Sequence, residues 1–355
     1  MLKLEYKPYT LDFKFEAGTS RGVMTKHEVL FIKIHDTSNP SVVGYGEIAP
    51  LPGLSEEKYD DAEEVLKKIQ VKVGSCNTPT NMGDCLDLAY KLCPEGYSSV
   101  IFGLETALLD LWNGGKKELF KVSIPEGKQG IPINGLIWMA DKESMKDQVK
   151  AKIEQGFDCI KMKVGALNFK DELEVIEFTR SVFDGVLRLD ANGAFKNNEA
   201  LKKLNELEPF NIHSIEQPII PRQLEAMQLI CRKSRIPIAL DEELVGVTDR
   251  SHRVELLRFI RPSYIILKPT LHGGLASCME WISIANQMEI GYWITSALES
   301  NLGLNAIAQF ADYVNAPGHQ GLGTGTLYQN NISSPLSIVS GSIFYDPAIE
   351  WETIF

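Results

Sequence analysis

Short apolar runs along the C-terminal two thirds of the chain each close on a charged residue, and they recur at a nearly constant interval. CIKMK (159–163), VLRLD (186–190), IHSIE (212–216), PIALD (237–241) and SYIILK (263–268) end on Lys163, Asp190, Glu216, Asp241 and Lys268, at steps of 27, 26, 25 and 27 residues. A strand, a helix and two loops of a parallel barrel occupy roughly 30 residues, so the interval predicts one βα unit per step. The same step backward from 163 reaches Leu136 in IPINGLIW, and forward from 268 it reaches Thr295 in GYWIT, then the glycine-rich HQGLGTG near residue 322. These eight positions predict a (β/α)8-like barrel, and stretches such as 169–182 and 198–207 have the charge pattern of its amphipathic helices. The five charges then crowd the barrel end at which such folds do their chemistry.

A barrel needs about 250 residues, and the chain has 355. The excess predicts an N-terminal α+β domain over 1–125, a barrel domain over 126–330 and a tail, 331–355, that returns to the first domain. Leu11, Phe13 and Phe15, then Leu30, Ile32 and Ile34, alternate with other residues as strands do, joined by a turn over Gly18 to Gly22. Helices are expected from near Ser55 to about Gln70, and from Ser98 or Ser99 to a stop at Gly114 and Gly115. Pro125 to Ile131, with Gly127 and Gly130, reads as the linker into the barrel.

Composition adds exclusions. A net charge of −11 without a basic run opposes nucleic acid and anionic membranes as partners, while leaving room for an anionic substrate held by local cations. No apolar run reaches the 18 residues or so of a membrane span, and MLKLEYKPYT lacks the features of a signal peptide, so the cytoplasm is the expected location. The six cysteines show no CxxC spacing and read as reduced thiols.

Asp190, Glu216 and Asp241 supply three hard oxygen ligands from adjacent strand ends, the set that suits Mg²⁺, with Mn²⁺ as a substitute. An isolated acidic strand end is as readily a helix cap or an ion pair. Three in register, without a cation, would repel one another at a partly desolvated barrel mouth. Lys161 and Lys163 stand two apart on one strand and so share its inward face. Charge balance alone explains one or two inward lysines, and Lys268 makes a third. A lysine acting as a base near neutral pH must be brought well below its ordinary value of about 10.4, and a neighbouring ammonium and a divalent cation both push that way. Lys163 beside Lys161 has this arrangement.

The ordered set KMK (161–163), LDAN (189–192), IEQP (215–218), ALDE (239–242) and ILKP (266–269) resembles the enolase superfamily, and within it the muconate-lactonizing-enzyme subgroup. The resemblance covers the whole chain. It implies an α/β fold in which an N-terminal α+β capping domain closes over a modified TIM (β/α)7β barrel. It also implies abstraction of a proton next to a metal-bound carboxylate. GTSRGVMTKHEVLFI (18–32), SALESNLGLNAIAQF (296–310) and HQGLGTGTLYQNN (319–331) are similar to segments of o-succinylbenzoate synthases of menaquinone biosynthesis. That likeness implies Mg²⁺-dependent syn dehydration of a small carboxylate, 2-succinyl-6-hydroxy-2,4-cyclohexadiene-1-carboxylate. Lys163 would serve as base and then acid, Lys268 would stabilise the anionic intermediate, and Lys161 would contact the carboxylate and tune Lys163. Asp190, Glu216 and Asp241 would bind the metal, with Asn192 and Glu242 in support. Arg21, in a capping loop, and Ser296 and Ser300, after the seventh strand, are candidate substrate contacts. A loop over 48–54 is expected to close the mouth with the one around Arg21.

Competing readings turn on particular residues. A mandelate-racemase-like site expects a histidine and an aspartate on later strands, where this chain has Lys268 and GYWIT. Dipeptide epimerases carry Asp-x-Asp near the eighth strand, where this chain has Gly323, Thr324 and Gly325. N-succinylamino acid racemisation needs the same two lysines and is the principal alternative. A non-catalytic binding barrel would be expected to lack a lysine or carboxylate of the set. His213 alternates away from Glu216 and reads as outward. Trp138 and Met139 read as core, and neither His272 nor His319 is assigned a catalytic role.

Overall fold

The antiparallel pair β1 (Leu2–Thr19) and β2 (Gly22–Asp36) opens the chain, with β3 (Asn39–Ile48) added at the β2 edge. The computed structural model describes residues 1–19, 22–124, 127 and 129–355. Both faces of this sheet are covered. Leu30, Ile32 and Ile34 point into one core, whereas Val29 and Phe31 point into another with Leu11, Phe13, Tyr328 and Ile354. Two covered faces explain why VLFIKI is nearly continuous in apolar residues rather than alternating.

The first core is completed by α1 (Tyr59–Val73), α2 (Met82–Leu92) and α3 (Ser98–Trp112). Helix α1 starts four residues beyond the expected Ser55. The Ser55 hydroxyl instead accepts from the Leu51 amide in a turn, and the Asp61 carboxylate accepts from the Lys58 amide at the true helix start. Helix α3 is buried through Leu111, as a helix packed on several sides must be. It lies close on β3: a methyl group on Gly44 would strike the Ala107 carbonyl, and one on Gly46 the Gly103 carbonyl.

The barrel follows β4 (Ile131–Pro132), which pairs with the late hairpin of β12 (Leu336–Val339) and β13 (Ser342–Tyr345). Among the described residues seven parallel strands lie in spatial order: β5 (Gly135–Ile137), β6 (Cys159–Lys163), β7 (Val186–Asp190), β8 (Ser214–Glu216), β9 (Ile238–Leu240), β10 (Tyr264–Leu267) and β11 (Gly291–Ile294). Between and after them come α4 (Lys142–Glu154), α5 (Phe169–Val182), α6 (Asn197–Leu207), α7 (Leu224–Lys233), α8 (Arg250–Ile260), α9 (Gly274–Gln287) and α10 (Asn301–Tyr313). The eighth position is a pair of parallel bridges, Ile133 with Gln320 and Thr295 with Gly321, which close the ring. A short 3₁₀ turn, Gly323–Thr326, follows it where a (β/α)8 barrel would have an eighth helix, so the ring is (β/α)7β.

The expected boundary at 125/126 lies outside the described residues. Around it, Glu47 on β3 accepts from the Ser300 and Gly303 amides at the start of α10, and Glu105 on α3 accepts from Leu275 and Ala276 at the start of α9. Two carboxyl groups from the N-terminal layer thus sit on the amide ends of two barrel helices. The tail returns to the first sheet, where Lys7 donates to the Ile354 carbonyl at 2.9 Å and Phe355 packs near Tyr45.

Candidate active site

The strand register brings the charged strand ends together. Lys163 lies opposite Asp190, and Asp190 opposite Glu216, in the ladder of β6, β7 and β8; Asp241 and Lys268 follow β9 and β10 directly. In the sheet order β6 and β10 are separated by β7, β8 and β9, so the lysines flank the carboxylate-bearing strands from two sides. All six side chains, including Lys161, are buried.

Their contacts form one charge network. The Lys161 ammonium forms ion pairs with Asp190 Oδ2 at 3.0 Å and Glu216 Oε2 at 2.5 Å. Lys163 donates to Asp190 Oδ2 at 3.2 Å and to Asn192 Oδ1 at 2.8 Å, and Lys268 donates to Asp241 Oδ2. Burial works against every charged form here, yet the partners decide most of the outcome. Burial would lower Lys161 and Lys268, but the surrounding carboxylates outweigh it and hold both above the ordinary lysine value. Burial would raise Asp190 and Asp241, but the lysines hold both below the usual carboxylate range. Glu216 goes the other way: burial and the neighbouring Asp190 raise it well above that range.

Backbone geometry supports the cluster. Asn192 has φ +42° at the turn after β7, and from there its amide donates to Glu242 Oε1 at 2.9 Å while its carbonyl holds Lys163. Gln217, with φ +39°, accepts from the Asp241 and Glu243 amides and so fixes the turn after β9. The His272 ring accepts from the Lys268 amide at 3.0 Å, and burial pulls it down to about 3, so it stays neutral.

Above the network opens a cavity of about 1030 Å³, lined by Lys161, Lys163, Asp190, Asn192 and Lys268 below and by Phe15, Leu51, Trp138, Ser296, Leu298 and Thr324 around it. It is ample for a ring bearing a flexible acid tail.

Residues 144–344 match the family described as enolase C-terminal domain-like. The chain is 39% identical over 364 residues to an o-succinylbenzoate synthase of Desulfotalea psychrophila, covering 96% of this chain and 98% of that one. The chain belongs to the o-succinylbenzoate synthase family of the enolase superfamily. The crystal structure of MenC from Desulfotalea psychrophila superposes with a TM-score of 0.87 at 35% identity, covering 97% of this chain and 99% of that one. A dipeptide epimerase from Enterococcus faecalis, complexed with Mg and a dipeptide, shares the fold with a TM-score of 0.85 at 20% identity, over 97% and 96% of the two chains.

The fit of a divalent cation can be tested on the carboxylates themselves. Among the described residues no three acidic, histidine or cysteine side chains enclose a common point as they stand; Lys161 bridges two of the carboxylates instead. Yet Glu216 Oε1 and Asp241 Oδ1 are buried and accept no hydrogen bond. Such oxygens are costly to leave without a partner. Three neighbouring carboxylates, two of them with unfilled oxygens, form a hard donor set, and it fits Mg²⁺.

The remaining expected contacts divide. Ser296 lines the cavity, where its hydroxyl meets Glu299 Oε2 and Thr324 Oγ1, each at 2.7 Å. Ser300 is absent from the lining: its Oγ donates to Glu47 and accepts from the Leu302 amide as the cap of α10. Arg21 and the neighbouring Ser20 lie outside the described residues. Trp138 and Met139 line the cavity, and Phe15 stands edge-on to Trp138 at 5.7 Å. Sequence reading passed over Gln217, Glu299 and Phe15. The IEQP motif contained the signal for the first. Glu299, which accepts from Thr270, Ser296 and Ala297, carried none beyond its place in the loop after β11.

Proposed function

We propose that this chain is an o-succinylbenzoate synthase, catalysing syn dehydration of 2-succinyl-6-hydroxy-2,4-cyclohexadiene-1-carboxylate to 2-succinylbenzoate in menaquinone biosynthesis. The observation that carries the reading is the placement of Lys163 and Lys268 on either side of Asp190, Glu216 and Asp241 beneath one cavity, in a chain of this family.

Asp190, Glu216 and Asp241 would hold Mg²⁺, which supplies fixed positive charge beside the substrate carboxylate. Lys163 Nζ takes the proton from the ring carbon bearing that carboxylate. The same nitrogen then returns a proton to the 6-hydroxyl, the C–O bond breaks, water leaves and the ring becomes aromatic. Asn192 aims Lys163 for both transfers, and Glu242 fixes Asn192. Lys268, on the far strand, stays an ammonium and lies against the anion formed in between, the role its close carboxylate partner Asp241 favours. Lys161, tied to Asp190 and Glu216, supports the carboxylate end. Ser296, at the cavity wall, would meet the succinyl tail. The six free thiols suit a reducing cytoplasm, where we place the enzyme.

The test is an ultraviolet assay of freshly generated cyclohexadiene substrate with Mg²⁺, beside an N-succinylamino acid followed by polarimetry. Aromatic product that disappears with chelator supports the synthase. Racemisation without dehydration would overturn it.

A further inference from the structure

Two loops meet at the rim of the cavity, and one buried side chain touches both. The first, 48–54, leaves β3 and carries Leu51 into the cavity wall; the second leaves β11 and carries Ala297 and Leu298 there. Leu51, Ala297 and Leu271 pack as a small apolar cluster of their own, joined by Met24, Leu54 and Leu298. Beside it His27, on β2 and 1% exposed, sets Nδ1 3.0 Å from the Leu298 carbonyl and Nε2 3.2 Å from the Pro50 carbonyl. A carbonyl oxygen only accepts, so the ring donates to one loop in each neutral tautomer and to both as an imidazolium. Leu298 itself has φ +69°, a conformation a leucine adopts only when its surroundings impose it. Its carbonyl also accepts from Tyr328 Oη at 2.6 Å, which holds the unfavourable turn in place.

We propose that His27 is a positioning residue: packed between the Pro50 and Leu298 carbonyls and donating to one of them in each neutral tautomer, it holds the two rim loops together, and this grip sets substrate affinity rather than the chemical step. The proposal rests on the synthase reading only for its choice of substrate. His27 reaches no reacting group, and its effect passes through Leu51 and Leu298.

The test combines steady-state kinetics with amide hydrogen exchange on the full chain. His27→Phe keeps an aromatic ring and removes the donor, and is expected to raise KM about tenfold with kcat within about twofold. It is also expected to speed exchange in both 51–55 and 297–300, while β7 and β8 amides stay protected as a control for folding. An asparagine amide reaches about where Nδ1 stands and a glutamine amide where Nε2 stands. His27→Asn should therefore restore protection of 297–300 alone, and His27→Gln that of 51–55 alone. Unchanged exchange in both loops of His27→Phe, or a failure of both amides to restore either loop, would overturn the proposal. If the wild-type chain makes no 2-succinylbenzoate, the functional reading fails, and the exchange pattern still decides the role of His27.

Discussion

An ammonium shared by two buried carboxylates is a costly arrangement unless something uses the charge, and Lys161 between Asp190 and Glu216 is one. If Lys163 moves the proton, Lys163→Ala should lower kcat by at least about 10³-fold, while calorimetry shows 2-succinylbenzoate binding within about threefold of wild type. If the three carboxylates hold the metal, Glu216→Gln should weaken Mg²⁺ binding at least 10- to 100-fold in a direct titration. Unchanged affinity would remove Glu216 from the metal site. Lys163, Asp190 and Glu216 were legible in the sequence because each ends an apolar run at a repeated interval, and Lys161 because it stands two residues before Lys163. His27 and Glu299 were not, because their partners are carbonyls, amides and hydroxyls of distant turns, and no spacing in the chain records those.

At the scale of elements, burial decides what composition leaves open. Helix α5 runs over the expected 169–182, since its amphipathic pattern is continuous and Asn168 caps it. Strand β3 went unread. Its glycines dilute the strand signal because α3 needs their bare Cα positions to approach. Accordingly Gly44→Ala or Gly46→Ala should destabilise the chain by about 1–3 kcal/mol in urea unfolding, as overpacking does. Glu105 gives a pH test. Burial without a cation pushes it up to about 8, against the lowering effect of the Leu275 and Ala276 amides. The folded state then keeps a proton that the unfolded state releases, so this contribution is fully present below the ordinary glutamate value and fades as pH rises toward 8. Unfolding midpoints at pH 5.5 and 8.5 should therefore differ less in Glu105→Gln than in wild type, with the variant gaining relative stability at the higher pH.

Over the whole molecule, the N-terminal layer and the barrel are joined by carboxyl groups on helix ends, by a sheet buried on both faces, and by the returning tail. The interval of charged strand ends revealed the barrel. It could not reveal which residues of the first layer reach the cavity, because Phe15 and Leu51 come from irregular or loop backbone whose course depends on this docking. No helix among the described residues is long and apolar enough to cross a membrane. The opposed lysines and the carboxylates between them are the proposed dehydratase centre. The measurement that bears on it most directly is single-turnover formation of 2-succinylbenzoate with Mg²⁺, in wild type and in Lys163→Ala. Rapid aromatisation in the wild type and none above background in the variant is the predicted result. Equal rates in the two would contradict the account.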